Sequence, residues 1–247
     1  MKIIFWNIGY VPGLNGSLFH YVTRSHRLVW SPIKIQKKLL DGIASYVTHE
    51  TPDLFLYSEI STGARRNQQL HQHEYLVGQI DGVKTHGATG KYRHSLFYSL
   101  PLHAGNANGF LSLHECLTDT VHLRAGSKTL VYVVVVQGVT VVMVHLSLNK
   151  KVRAKQLAEL GEIVTVIKGP LVVCGDMNIF SGVGELAVFI KATGLSLTKE
   201  IPLTHPAHRP KRSLDIFLTR DIKGKVSVRT IETTISDHLP IVLEFYK

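Results

Sequence analysis

The chain has 247 residues, of which 45% are hydrophobic and 19% are charged. These fractions are typical of globular proteins, so they predict a sizeable buried core and exclude a disordered chain. The formal net charge of +10 at pH 7 favours partners that carry negative charge, such as nucleic acid. Lysines and arginines are scattered along the chain, and their densest group, together with two histidines, lies between His205 and Arg212.

Neither the first residues nor the cysteines indicate export. Residues 1–7 carry one positive charge and an apolar run shorter than a signal peptide needs, so we interpret them as a mature N-terminus. Cys116 and Cys174 allow one disulfide bond at most, which favours a reducing compartment. The uncharged stretch 129–145 is too short to span a bilayer and is interrupted by a Gln137-Gly138 turn. We therefore expect a cytoplasmic protein without a transmembrane segment.

The first quarter of the chain predicts two strands and one helix. Residues 2–8 are apolar and β-prone, as in a strand buried on both faces, whereas residues 12–31 are rich in Gly, His and Arg and predict a loop. Apolar residues recur at helical spacing over 33–47, which predicts an amphipathic helix packed on a sheet. Residues 54–57 form a short apolar strand, and Glu59 is expected at its carboxyl end.

The remaining three quarters alternate between predicted strands and helices. Residues 63–90 are polar and His-rich, and only a helix near 65–73 is predicted there. Two further helices are expected over 153–167 and 184–192. Strands are expected at 96–98, 121–123, 130–136, 139–145, 171–174, 214–218, 226–230 and 241–246. Because no repeat or linker is visible, we expect one domain spanning residues 1–247.

Polar residues suited to phosphate chemistry follow several of these strands. Asp176 and Asn178 lie two positions apart after a buried strand, so both side chains can meet one phosphate. The carboxylate can orient or deprotonate water, and the amide can donate to a phosphate oxygen. The same pair is also common in ordinary turns. Glu59 is the best candidate ligand for Mg²⁺, which prefers oxygen atoms.

Two histidines complete the candidate catalytic set. His145 ends a predicted strand, where a lone histidine is more often a surface residue than a catalyst. His238 follows Ser236-Asp237 in a turn before the last strand. A buried carboxylate such as Asp215 could hold the His238 imidazole in one tautomer, as in general-base dyads.

In chain order these motifs resemble those of the endonuclease/exonuclease/phosphatase superfamily, whose best-known branch is the deoxyribonuclease I type. The matching segments are Trp6-Asn7-Ile8, residues 53–59, His145-Leu146, Gly175-Asp176-Met177-Asn178, Leu214-Asp215 and Ser236-Asp237-His238-Leu239-Pro240. The resemblance extends from Asn7 to His238 and is weakest between Gly63 and Leu130. It implies an α+β fold, a four-layer α/β/β/α sandwich of two mostly antiparallel sheets flanked by helices, with the site at one edge.

The resemblance also implies roles for the matching residues. These roles are metal binding by Asn7, Glu59 and Asp237, phosphate binding by His145, positioning of water and phosphate by Asp176 and Asn178, and acid or base catalysis by His238 paired with Asp215. The implied metal is Mg²⁺, with Mn²⁺ as an alternative. Gly9 stands where the apurinic-endonuclease branch carries a second metal-binding Asp, so that repair activity is not supported.

Three functions fit these residues. The first is a metal-dependent endonuclease or exonuclease in which Arg209, Lys211 and Arg212, close to Asp215, bind DNA or RNA. The second applies the same chemistry to a small phosphate ester, an inositol phosphate or a phospholipid head group, although the sequence shows no aromatic hairpin for membrane insertion. The third is a catalytically silent binding protein on the same scaffold. We favour the first and expect a monomer.

Overall fold

The computed structural model describes residues 1–92 and 104–246, and this part of the chain contains twelve strands. In chain order they are β1 (Lys2–Asn7), β2 (Leu54–Ser61), β3 (Thr85–Gly90), β4 (Asn106–Ser112), β5 (Leu117–His122), β6 (Leu130–Val136), β7 (Val139–His145), β8 (Leu171–Asp176), β9 (Ser196–Leu197), β10 (Asp215–Arg220), β11 (Lys225–Thr230) and β12 (Ile241–Tyr246). They form two sheets of six strands, in the orders β11-β12-β1-β2-β4-β3 and β5-β6-β7-β8-β10-β9.

The inner faces of the two sheets share one apolar core. Phe5, Leu56 and Phe110 of the first sheet belong to the same buried cluster as Cys174 and Phe217 of the second. Cys174 is thus a core residue, and burial raises the pKa of its thiol. The two sheets are therefore packed face to face, and their outer faces are left for helices.

Helices cover both outer faces. The described α-helices are α1 (Leu18–Arg24), α2 (Ile33–Glu50), α3 (Gln72–Val77), α4 (Lys150–Thr165) and α5 (Ala187–Thr193). Leu40 of α2 and Leu76 of α3 are buried against the first sheet, and Leu160 of α4 and Phe189 of α5 against the second. The predicted four-layer α+β sandwich is confirmed. Within the described ranges, no helix combines the length and apolar character needed to cross a membrane.

Several sequence predictions need correction. Residues 12–31 were expected to form a loop, but they contain α1 and a 3-10 turn over Ser25–Leu28. Residues 65–73 form a 3-10 turn over Arg65–Asn67 and only the start of α3. Strands β3, β4 and β9 were not predicted. The predicted strand at 96–98 lies outside the described residues.

Two parallel strand pairs determine where the site forms. β1 is parallel to β2, and β7 is parallel to β8, whereas the other neighbouring strands are antiparallel. His145 and Asp176 pair at the carboxyl ends of β7 and β8. Antiparallel β10 begins with Asp215 opposite Asp176. Asn7 ends β1, and its side chain reaches Asp176 in the other sheet. The ends of both sheets therefore meet at one edge of the sandwich.

Candidate active site

Asp176 is the centre of a buried polar cluster. Its Oδ2 accepts a hydrogen bond from Asn7 Nδ2 at 3.0 Å, and its Oδ1 accepts one from the backbone N–H of Asn178 at 3.0 Å. His145 Nε2 lies 3.4 Å from Oδ2. Burial raises the pKa of Asp176 to about 6, with a further increase from Asp215 and an opposing effect from His238. A carboxylate with a pKa close to neutrality is suited to accept a proton from water.

Gly175 allows Asp176 to take this place. Its φ of +147° belongs to a region that L side chains rarely adopt, and a Cβ at this position would lie 1.8 Å from the carbonyl oxygen of Val144. Only glycine avoids that overlap, because it has no Cβ. The close contact between the ends of β7 and β8 therefore depends on this residue.

His238 and Asp215 form a buried pair. His238 Nδ1–H donates to Asp215 Oδ2 at 2.7 Å. Burial lowers the pKa of His238, but the Asp215 and Asp176 carboxylates outweigh that effect and raise it to about 10. The backbone carbonyl of His238 accepts a hydrogen bond from Trp6 Nε1 at 2.9 Å, which ties the turn before β12 to β1. His238 is therefore an imidazolium at neutral pH, held in one orientation.

Glu59 lies near the carboxyl end of β2, which continues to Ser61 and is longer than the predicted strand. The β2 register with β4 shifts between Tyr57 and Ile60, and Glu59 at this bulge has a φ of +62°. Bulges and left-handed residues other than glycine are common next to active sites. The Glu59 carboxylate lines a pocket of about 230 Å³ together with Asp237.

The donor atoms of this pocket fit a divalent metal that prefers oxygen. Glu59 and Asp237 offer carboxylates, and Ser236 Oγ connects Asp237 to Asn7 by donating to the Asn7 carbonyl at 2.7 Å. Mg²⁺ is typically bound by one or two carboxylates plus waters. His205, Asp237 and His238 also place potential ligand atoms within 4.8 Å of one another. The structure thus brings two of the three predicted metal ligands to one pocket and places Asn7 next to it.

Two lysines in the site were missed by sequence reasoning. Lys91 is buried, and its Nζ lies 3.0 Å from Glu59 Oε1. Burial opposes ionisation of Glu59, but Lys91, followed by His145 and Lys128, outweighs it and holds the Glu59 pKa well below its usual range. Lys128 Nζ donates to His145 Nε2. No local pattern marks either lysine, because both reach the site from segments between strands.

Lys128 and burial set the charge of His145. Burial lowers the pKa of His145 well below its usual range, and the positive charges of Lys128 and Lys91 add to the effect. The pKa of Lys128 is itself lowered, to about 8, by burial and by repulsion from Lys91. Among the described residues, His145 Nδ1 has no hydrogen-bond partner although it is buried. His145 is therefore a neutral imidazole at pH 7.

Asn178 binds the protein backbone. Its Nδ2 donates to the carbonyl of Leu146 at 2.9 Å, and its φ is +52°. The side chain therefore links the segments that follow β7 and β8. A contact between this amide and phosphate stays a prediction.

The predicted cationic loop lies beside the site. Arg209, Lys211 and Arg212 are exposed, and the loop is closed by a bridge between His205 and Arg212. The backbone N–H of Ala207 donates to the Asp237 carbonyl at 2.7 Å. The three cationic side chains thus extend from a loop that is tied directly to a predicted metal ligand, and their contact with substrate stays a prediction.

His205 in this loop is a further residue that the sequence did not single out. Its Nε2 lies 3.9 Å from Asp237 Oδ2, and its ring centroid lies 4.8 Å from that of His238. The sequence marked His205 only as the first member of a basic group. Its place against Asp237 comes from long-range backbone hydrogen bonds that no local pattern reveals.

Comparison with known proteins identifies the family. Residues 34–238 match the model of the endonuclease/exonuclease/phosphatase family. A UPF0294 protein of Erwinia tasmaniensis is 34% identical over 116 residues, which are 45% of this chain and 41% of that protein. The chain thus aligns with less than half the length of this relative.

Two solved structures share the fold. TDP2 of D. rerio, complexed with single strand DNA product, has a TM-score of 0.68 at 16% identity and covers 100% of this chain and 99% of its own. A mannosyl-6-phosphatase of Bacteroides thetaiotaomicron has a TM-score of 0.66 at 13% identity and covers 100% of both chains. Since the family model spans most of the sequence, from before Glu59 to His238, this chain belongs to the endonuclease/exonuclease/phosphatase family.

Proposed function

We propose that this protein is a Mg²⁺-dependent phosphodiesterase that cleaves nucleic acid by attack of water. The observation that carries the proposal is the buried cluster in which Asp176 contacts Asn7 and His145 beside the Asp215–His238 pair. Membership of the family supports phosphoester hydrolysis as the reaction class. The related folds include a protein complexed with a DNA product and a sugar phosphatase, so the choice of substrate rests on this chain's own surface.

Each residue of the cluster has its own role in hydrolysis. Asp176 orients the attacking water and accepts its proton, because its raised pKa makes it a stronger base than an ordinary aspartate. His238 carries a proton that can be given to an oxygen of the phosphate or of the leaving group. Lys128 and the neutral His145 bring hydrogen-bond donors to the phosphate oxygens.

Glu59 and Asp237 would hold the metal, with Asn7 next to them. When bound, Mg²⁺ supplies positive charge that stabilises the crowded phosphate and the leaving oxygen. Oxygen ligands suit Mg²⁺ and also Mn²⁺, so we expect Mn²⁺ to support activity as well. Lys91 Nζ lies 3.0 Å from Glu59 Oε1 and neutralises part of its charge.

The positive surface supports nucleic acid as the substrate. The net charge is +10, and the cationic side chains of Arg209, Lys211 and Arg212 are exposed beside the site. Polyanion binding of this kind is independent of base sequence. One observation favours a second candidate, a phospholipid head group: apolar side chains of α1 are exposed next to the pocket.

The reaction class is tested with a soluble phosphodiester, bis(p-nitrophenyl) phosphate. We expect Mg²⁺-dependent release of nitrophenol that stops on addition of chelator. Asp176→Asn should lower the rate by about 10²-fold or more, because it removes the base. Asp81→Asn, at an exposed aspartate far from the cluster in sequence, is the matched control. Equal rates for wild type and Asp176→Asn would refute the site assignment.

The substrate class is tested by comparing plasmid DNA, single-stranded RNA, inositol phosphates and choline phospholipids under the same Mg²⁺ conditions. Fastest turnover of a polynucleotide supports the proposal. Fastest turnover of an inositol phosphate or a phospholipid would replace nucleic acid with that class, while leaving the reaction mechanism in place.

A further inference from the structure

The segment that sequence analysis assigned to a loop carries an unusual set of exposed apolar side chains. Among the described residues, eight of the large exposed hydrophobic side chains fall between positions 18 and 33, and seven are spread over other parts of the chain. α1 contributes Leu18, Phe19 and Val22, which are 79%, 68% and 74% exposed, and none of its residues is buried. Residues 28–30 add Leu28, Val29 and Trp30. These six residues are named the apolar rim.

Helical geometry places the α1 members of the rim together. Leu18 and Val22 are four positions apart, and Phe19 and Val22 are three apart, so their side chains lie on one face of the helix. Ser17 Oγ accepts the hydrogen bond from His20 N that begins the helix. A folded helix with an exposed apolar face marks a site of contact with a protein or a membrane.

The apolar rim borders the active-site pocket. Tyr21 of α1 donates from its hydroxyl to Asp237 Oδ2 at 3.4 Å, and both Tyr21 and Leu28 line the pocket that contains Glu59. The cationic loop lies against the start of the same segment, since the backbone N–H of His208 donates to the Asn15 carbonyl. Apolar and positively charged groups thus surround the mouth of one pocket.

The positive charge around the apolar rim indicates which partner binds there. The first 40 residues contain no aspartate or glutamate, and Lys34, Lys37 and Lys38 are exposed directly after the apolar rim. Apolar side chains among lysines and arginines are the composition of helices that lie in the interface of anionic membranes. A second copy of this chain would bring the same positive charge to the same place. Bases of nucleic acid stack on aromatic rings, whereas most members of the rim are aliphatic.

We propose that this face is a docking surface for anionic phospholipid bilayers. Leu18, Phe19 and Val22 enter the boundary between head groups and acyl chains, and the neighbouring lysines and arginines contact the lipid phosphates. Binding at this face sets the mouth of the pocket against the bilayer. The inference goes beyond the proposed hydrolysis and holds for whichever phosphodiester the site cleaves.

Tryptophan fluorescence tests membrane binding directly, because the two tryptophans differ in exposure. Trp30 is 59% exposed and belongs to the apolar rim, whereas Trp6 is 1% exposed in the core. Tryptophan emission is recorded while vesicles of phosphatidylglycerol and phosphatidylcholine, or of phosphatidylcholine alone, are added to the full chain. We expect a blue shift and co-sedimentation with the anionic vesicles. The same result is expected for Asp176→Asn, so the test is independent of hydrolysis.

Serine substitutions on α1 test whether this helix makes the contact with the membrane. The triple variant Leu18→Ser, Phe19→Ser and Val22→Ser should partition into anionic vesicles on the order of tenfold less or weaker, because it removes most of the apolar area of α1. The control variant Leu117→Ser and Val188→Ser changes side chains that are 76% and 82% exposed on β5 and α5, and should bind as wild type does. Unchanged turnover of bis(p-nitrophenyl) phosphate by the triple variant shows that it is folded.

Three results would overturn the proposal. The first is the absence of a blue shift and of sedimentation with anionic vesicles. The second is equal binding by the triple variant and wild type, which would reduce the interaction to general charge attraction. The third is an effect of the triple variant on another interaction while vesicle binding stays unchanged. Loss of self-association would assign the apolar rim to contact with a second copy of the chain, and loss of DNA binding would assign it to contact with nucleic acid.

Discussion

The two histidines of the site differ in charge at neutral pH. Burial, assisted by Lys128 and Lys91, keeps His145 neutral, whereas Asp215 and Asp176 keep the proton on His238. Both imidazoles lie near Asp176, so this carboxyl group has a neutral neighbour on one side and a cation on the other. This difference allows one histidine to accept or share a hydrogen bond while the other acts as an acid.

Asp215→Asn should lower the pKa of His238, because it removes the carboxylate that raises it most. The His238 pKa of about 10 lies above its ordinary value of 6.5, so the stabilisation is complete below pH 6.5 and is lost as pH rises through 10. Urea unfolding should therefore show Asp215→Asn less stable than wild type by about 3 kcal/mol at pH 6, with a smaller difference at pH 10. Asp81→Asn is the control. A stability difference between Asp215→Asn and wild type that grows with pH would contradict the ion pair between Asp215 and His238.

The sequence predicted the site residues that belong to recognisable motifs at or near strand ends, and it missed the two lysines. Asp176 ends β8, Asp215 begins β10 and His238 lies in the turn before β12. Pairing of β8 with β7 and with β10 brings Asp176 to one edge together with His145 and Asp215. Lys91 and Lys128 reach the site through contacts 32 and 17 positions away in the chain. A lysine is usually solvated, and nothing in its neighbours along the chain shows that it will be buried against a carboxylate or an imidazole.

At the scale of elements, the end of β8 depends on a glycine. Gly175→Ala would place a Cβ 1.8 Å from the Val144 carbonyl oxygen and should separate the ends of β7 and β8. We expect a loss of about 3 kcal/mol in the free energy of unfolding, measured by urea denaturation. Gly184→Ala is the matched control, since nothing lies within 4 Å of its added Cβ, and it should change stability by less than about 1 kcal/mol. Equal changes in stability for Gly175→Ala and Gly184→Ala would show that the backbone at Gly175 accommodates the methyl group.

Element prediction succeeded where a buried face gave a periodic pattern. The helix over 33–47 is confirmed as α2 and the helix over 153–167 as α4, and both place their apolar side chains on a sheet. α1 gave no such signal, because its apolar residues face outward and its surroundings are rich in Gly, His and Arg. β3 was missed because its sequence, THGATG, is polar and glycine-rich. It is held by pairing with β4, which sequence periodicity does not reveal.

At the scale of the molecule, we expect the proposed binding of nucleic acid to be sensitive to salt, because the net charge is +10. Reversal of Arg209, Lys211 and Arg212 to glutamate should weaken DNA binding and reduce the slope of log affinity against log salt. Each lost phosphate contact reduces the slope by about 0.9 for duplex DNA. Fluorescence anisotropy of labelled DNA at several salt concentrations measures both quantities.

The control for this experiment makes the same change of charge at the end of the sandwich opposite the site. Lys168, Lys223 and Lys225 are exposed. Lys168 lies before the start of β8, Lys223 lies between β10 and β11, and Lys225 begins β11. Their reversal to glutamate should leave the salt slope closer to that of wild type. Equal slopes for the two triple variants would assign binding to net charge and not to the loop.

The hydrogen bond from Trp6 to the His238 carbonyl joins residues 232 positions apart. β1 is synthesised before Glu59 and Asp176, and the turn that carries His238 is synthesised after them. A nascent chain that has exposed Glu59 and Asp176 still lacks the imidazolium and the final strand that fixes it. We therefore expect hydrolytic competence to arise only after the turn that carries His238 has been synthesised, so that the RNA around the translating ribosome meets an inactive chain until then.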